Sequence, residues 1–307
     1  MKWLKRGIVW NTDGQQAWSR SHAMCPTPFR ISESVIRVYV TTLDELGRGR
    51  GMYVDLAAQD PTKVLAASTK PILDLGEPGA FDDNGVVPLS VLRVPGGDVY
   101  MYYAGFEVCT QIRYRIFTGL AISRDNGETF ARYQRAPVLD RSDAELHFRC
   151  GPFVKYEDDR FKIWYVAGNS WLELDGKPMP IYDVRYAESP DGINWPAKGS
   201  TVLPITQDDE HGFGRPWIVT RSENKQDMFY CVRRKSFASY RMGLAHSADG
   251  RTWTRCDEDM GIDVSDAPYE TEAVMYAAVI DVDGKEYCFY NGNGFGRDGF
   301  ALAELTA

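Results

Sequence analysis

Apolar positions along the chain fall in short runs, many alternating with polar ones, and turn residues separate them. That period-two pattern predicts strands rather than helices. Four aromatic-rich runs stand out, at residues 99–105, 161–168, 227–233 and 285–292. Each follows another apolar run, at 86–91, 152–155, 216–220 and 274–280. After three of them comes a matched segment, at 119–130, 185–195 and 243–253. There a small-residue strand leads into Ser-x-Asp-(x)-Gly at Ser123, Ser189 and Ser247, and then an aromatic (Phe130, Trp195, Trp253) on a returning strand. Asp followed by Gly supplies positive φ, and the Ser and Asp side chains can bond the turn's own backbone.

Self-similarity of this kind sets the architecture. Each unit holds four strands, the size of a propeller blade. Residues 25–58 read as a divergent first unit, and the last unit lacks its outer strand. The expectation is an all-β chain, a single domain over 1–307 forming a five-bladed β-propeller. Its blades span about 21–66, 81–140, 145–203, 210–260 and 269–305, and the N-terminal strand 3–10 closes the ring. Closure removes an exposed sheet edge. An ordinary β-sandwich with coincidental Asp-Gly turns is the competing reading.

Composition narrows the function. Apolar residues make up 44% and charged residues 25%, enough for a full core. A net charge of −8 argues against nonspecific nucleic-acid binding, which needs a basic face. No apolar run approaches the ~20 residues that span a bilayer. The start has positive charge but no apolar signal run or cleavage site, so a cytoplasmic location is expected. Six scattered cysteines read as reduced thiols, and with no zinc-type spacing neither metal nor cofactor is expected.

Aligning the units on Pro28, Pro88, Pro152, Pro216 and Ala277 places His22, Asp82, Leu146, Glu210 and Thr271 at one slot, six residues earlier. Asp83, His147, Arg149, His211, Arg215, Glu270 and Glu272 stand beside it. Each has a plainer reading: a turn for Asp82 and Asp83, an ion pair for Glu270 or Glu272, a core histidine for His22, a solvated run for Arg233. Yet carboxylates around an aromatic-lined channel suit glycosyl transfer, in which one acid protonates the leaving oxygen and a second acts as base or nucleophile. Trp164, Tyr165, Trp171, Tyr182 and Trp217 offer flat faces for sugar.

These residues resemble the five-bladed propeller glycosidases of glycoside hydrolase families 32, 43, 68 and 130. The closest likeness is to a bacterial branch found beside glycosyltransferases in polysaccharide loci. The motifs that carry it are Phe81-Asp82, Gly85-Val-Val-Pro88, Gly119-Leu-Ala-Ile-Ser123, the segment 185–195, Arg215-Pro-Trp217, Tyr240-Arg-Met-Gly243, Gly261-Ile-Asp263 and Tyr290-Asn-Gly-Asn-Gly294. The resemblance implies acids on different inner strands, carried here by Asp82, Glu210 and the Glu270/Glu272 pair. His22 stands where it implies a first-blade Asp, and Leu146 fills the third-blade slot. The fructan-cleaving signatures Asp-Pro-Asn-Gly and Arg-Asp-Pro are absent. The leading expectation is a glycoside hydrolase-like enzyme, with Asp82 and Glu272 as base or nucleophile and Glu210 as acid. His22, Asp83, Arg149, Arg215, Trp217, Trp171 and Arg233 would contact the carbohydrate. One alternative is a glycosyltransferase or phosphorylase, in which Arg149, Arg215 and Arg233 hold phosphate or a nucleotide-sugar anion. The other is a non-catalytic carbohydrate-binding propeller.

Overall fold

The computed structural model describes residues 1–237 and 239–306 and is nearly all β. Strand β1 is Trp3–Trp10. Then come β2 (Ser21–Arg30), β3 (Val35–Leu43), β4 (Gly49–Ala57) and β5 (Asp60–Ala67). They are followed by β6 (Val86–Arg93), β7 (Val99–Val108), β8 (Tyr114–Ser123) and β9 (Ala131–Arg132). The next four are β10 (Phe148–Glu157), β11 (Arg160–Leu174), β12 (Lys177–Ser189) and β13 (Ser200–Leu203). After these stand β14 (Glu210–Ser222), β15 (Lys225–Arg234), β16 (Tyr240–Ser247) and β17 (Thr254–Arg255). The chain ends with β18 (Met275–Val282), β19 (Lys285–Asn291) and β20 (Phe300–Leu305).

Consecutive strands pair antiparallel into meanders. One sheet is β2-β3-β4-β5 and another is β1-β20-β19-β18. The remaining twelve strands are three meanders joined by short parallel contacts, β8 to β10 and β12 to β14. The expected pairing of the N-terminal segment is present: β1 runs antiparallel to β20, from Trp3 opposite Leu305 to Trp10 opposite Phe300. Last and first meanders also touch. Asn291 on β19 accepts from the Cys25 N–H and donates to the Ala23 carbonyl on β2. Phe289, Phe300 and Leu302 share a buried cluster with Val38, Val54 and Leu56.

The Ser-x-Asp turns form as their residues dictate. Ser123, Ser189 and Ser247 accept the Gly127, Gly192 and Gly250 N–H groups at 2.8, 3.0 and 2.9 Å. All three glycines have positive φ. Each turn is also gripped by an aromatic of the preceding meander. Tyr39 donates to the Gly127 carbonyl, Tyr102 to that of Gly192, and the Trp164 indole to that of Gly250. The aromatics fall outside the returning strands: Phe130 and Trp253 lie just before the two-residue β9 and β17, and Trp195 lies five residues before β13.

A bulge interrupts the first strand of every meander, at Leu89 in β6 and at a matched place in the other four. Extra residues stand at Cys25-Pro26, Gly151-Pro152, Arg215-Pro216 and Tyr276-Ala277. Cys25, Gly151, Arg215 and Tyr276 all take positive φ there. In the first meander the bulge thus falls two residues before Pro28, the position used to align the units.

Candidate functional site

The four bulge residues at positive φ face one cavity of about 580 Å³. Its lining comes from β2, β6, β10, β14 and β18, so the first strands of all the meanders converge there. A bulge re-aims a side chain out of the pleat. At Cys25, Arg215 and Tyr276 it does so through a left-handed backbone that costs a non-glycine residue roughly 1–3 kcal/mol. Gly151 needs no such strain, and a Cβ there would press on the Val166 side chain at 3.3 Å.

Much of the wall is apolar and aromatic, including Phe148, Tyr114, Tyr182, Tyr240, Tyr276 and Phe295. The Tyr182 and Tyr240 hydroxyls are bonded to each other at 2.9 Å. Burial pushes the phenols of Tyr182, Tyr240 and Tyr276 well above their usual range, which keeps them protonated. Burial likewise pushes the Cys25 thiol up to about 12. These groups are hydrogen-bond partners for hydroxyls, and none is an activated nucleophile.

Three sequence-predicted contacts line the cavity, Tyr182, Arg215 and Arg233. Arg215 is buried and donates to the carbonyls of Tyr276 and Pro26 and to Thr27 Oγ1, tying β14 to β18 and β2. The Arg233 guanidinium lies 4.5 Å from the centre of the Tyr240 ring.

The predicted acids are elsewhere: Asp82, Glu210, Glu270 and Glu272 do not line the cavity. Three of them belong to a repeated buried device in which a tyrosine of a meander's second strand donates to a carboxylate that a cation neutralises. Tyr103 and Arg132 hold Asp82, at 2.9 and 2.8 Å. Tyr290 and Lys5 hold Glu270, at 2.8 and 2.7 Å. Tyr230 donates to Asp257, whose partner Arg255 also clasps Glu210 at 2.8 and 2.6 Å. In the remaining copy Tyr165 donates to Glu145 at 2.8 Å, and Arg149 and Arg185 pair with it. Glu145 and Asp257 escaped the sequence alignment. Glu145 is one residue from the assigned slot, where Leu146 is exposed. A neighbouring carboxylate, added to burial, raises the phenols of Tyr103, Tyr165, Tyr230 and Tyr290, so each stays a donor.

The other predicted residues are scattered. Glu272 is exposed, and its carbonyl accepts from Arg241. Asp83 bonds the Gly79 N–H and Asn84 within a turn. Arg149 also donates to the carbonyls of Asp140 and Pro196, away from the cavity. Trp217 is buried, donates to the Val279 carbonyl and packs on Phe153. Trp171 stands behind the wall, against Phe148 and Tyr114, and donates to His147. His22 is half-buried beside Ser21, and burial lowers its pKa against the pull of the Gly294 carbonyl.

For a metal, the described residues offer His246, Cys256 and Asp259, whose ligand atoms lie within 4.8 Å of one another. None of the three lines the cavity. A second depression of about 430 Å³ is lined by charges paired among themselves, such as Arg160 with Glu188 and Lys162 with Asp158.

No family model matches the chain. Across 307 residues, 99% of both chains, it is 33% identical to the uncharacterized protein Rv1502 of Mycobacterium tuberculosis. Among solved structures, a glycoside hydrolase superimposes with a TM-score of 0.76 at 20% identity, over 99% of this chain and 91% of that one. A complex of BT0996 with RGII gives 0.74 at 20% identity, over the same shares. A thermostable family-43 glycoside hydrolase gives 0.66 at 18% identity, over 95% and 92%. At such identities the likeness is one of fold. The chain therefore belongs to the family of the M. tuberculosis protein Rv1502, and it shares its fold with a family-43 glycoside hydrolase.

Proposed function

We propose that this protein is a five-bladed propeller, closed by β1, that binds a carbohydrate in the cavity where its blades meet. The observation that carries the reading is the strained convergence: three non-glycine bulge residues at positive φ, Cys25, Arg215 and Tyr276, face one aromatic-walled cavity. Backbone strain of this kind concentrates where a ligand is held. Tyrosine faces suit sugar C–H groups, and their protonated hydroxyls suit sugar oxygens. The hydrogen bonds from Asn291 to β2 support ring closure. The complex of BT0996 with RGII makes carbohydrate the natural ligand class to test first. Six free cysteines fit a cytoplasmic setting.

A second reading, cleavage or transfer of a glycosidic bond, draws on the glycoside hydrolases that share the fold. In it Glu272 is the candidate acid, because among the described residues Asp82, Glu210 and Glu270 are engaged by cations and Glu272 is not. The test is saturation-transfer NMR against oligosaccharides, aryl glycosides and nucleotide sugars, followed by product analysis with and without phosphate. Binding without product supports a binding propeller. Product lost in Glu272→Gln supports the enzyme. Failure of every carbohydrate to bind contradicts both.

A further inference from the structure

The buried carboxylates among the described residues are each ion-paired. Arg132, Arg149 and Arg255 each face a buried carboxylate. Two arginines of the cavity, Arg215 and Arg233, do not. Arg215 spends its donors on two carbonyls and a hydroxyl. Arg233 packs its face on Tyr240, and its Nη1, shielded from solvent, has no hydrogen-bond partner among the described residues. Neither forms an ion pair with a carboxylate among the described residues. Arg113 and Lys177 are exposed lining residues of the same cavity, and Asp175 is its one lining carboxylate among the described residues. Four cations against one acid make this cavity positive in a chain of net charge −8.

A charge withdrawn from water is costly unless it is paired and hydrogen-bonded. Guanidinium stays protonated at any physiological pH, so neither arginine can shed its charge. The absent counter-ion then belongs to the ligand. We infer that the carbohydrate of the cavity carries an oxyanion, a carboxylate or phosphate, received by Arg233. Its planar fork matches both groups, which each offer two oxygens. The Tyr182 and Tyr240 hydroxyls, bonded to each other at 2.9 Å, stand ready to re-aim one proton towards that oxyanion. Low-dielectric walls focus the field of Arg215 on the same space. This inference rests on the cavity being the carbohydrate site.

Calorimetric titration of the full chain tests it with four probes: glucose, glucuronate, glucose 1-phosphate and inorganic phosphate. Arg233→Met and Arg233→Lys are compared with the wild type after a thermal melt confirms that each folds. At least one charged sugar should bind tenfold or more tighter than glucose, and the ratio of glucuronate to glucose 1-phosphate identifies the oxyanion. Arg233→Met should lose that preference, and Arg233→Lys, with charge but no fork, should keep part of it. Raised salt should weaken the charged probes and leave glucose unchanged. Glucose binding as tightly as both charged sugars overturns the inference, even if neither variant folds. So does an anion response that Arg233→Met leaves intact, or no response to any anion. Inorganic phosphate bound through Arg233 with no gain from an attached sugar upholds the anion subsite and contradicts the carbohydrate reading instead.

Discussion

Arg255 clasps Glu210 with two hydrogen bonds, of 2.8 and 2.6 Å, and the carboxylate is buried with no access to the cavity. Glu210→Gln removes the charge and leaves Arg255 with Asp257 alone. Breaking a buried pair costs about 3–5 kcal/mol, and the surviving Asp257 contact places this variant near ~3. Urea unfolding should show that loss while ligand binding at 25 °C is unchanged. Unaltered stability with lost turnover would restore Glu210 as a catalytic acid.

The turn glycines offer a cleaner comparison. Gly192 has φ +72, and a Cβ there would come within 2.5 Å of the Tyr102 hydroxyl. Gly176 has φ +71 with nothing within 4 Å. Gly176→Ala therefore costs only the backbone strain, on the order of 1 kcal/mol. Gly192→Ala costs that plus the displaced Tyr102 latch, at least another ~1 kcal/mol from the lost hydrogen bond. Thermal unfolding of both checks the difference. Equal losses would mean that Tyr102 does not hold the turn.

Stability should fall in two stages on acidification. His22, His147 and His211 have lowered pKa values, chiefly through burial. Below the unfolded value of 6.5 the unfolded chain binds protons that the folded chain refuses, so stability is lost as pH falls from there. The second stage belongs to the turns. Against the pull of burial, hydrogen bonds from Ser123, Thr129 and backbone N–H groups hold Asp125 at about 2. Its contribution is present above the unfolded 3.8 and disappears as pH falls towards 2. A melt series from pH 7 to 2.5 should show both stages, with Asp125→Asn flattening the second. Stability that rises between pH 6.5 and 5 would contradict the first.

The strands were legible because their signals are local: alternation, aromatic runs, and a Ser-x-Asp turn whose bonds stay within five residues. β1 was legible as the partner of β20 because the last unit lacked a strand. The cavity was not. Its lining comes from single residues on many strands, and the decisive ones sit in bulges, where an extra residue reverses the inward and outward faces. Counting back from proline across a bulge misplaced the slot, so Glu145 was passed over for Leu146. The residue before proline ordinarily favours an extended conformation, which hides the left-handed backbone of Cys25 and Arg215. Sequence offers Arg215 and Arg233 as candidate anion contacts, but their lack of carboxylate partners is visible only in three dimensions. The acids drew attention as chemistry because sequence does not show that Arg132, Arg255 and Lys5 fold against them.

The central claim is that ligand occupies the converging cavity, and Met24→Trp tests it most directly. Met24 is a half-buried lining residue, so the larger ring fills space without disturbing a buried core position. Calorimetry with the tightest-binding sugar from the screen should show affinity reduced at least tenfold, while the melting temperature barely moves. Wild-type affinity in a folded Met24→Trp protein would contradict the claim and send the search for the site elsewhere on the molecule.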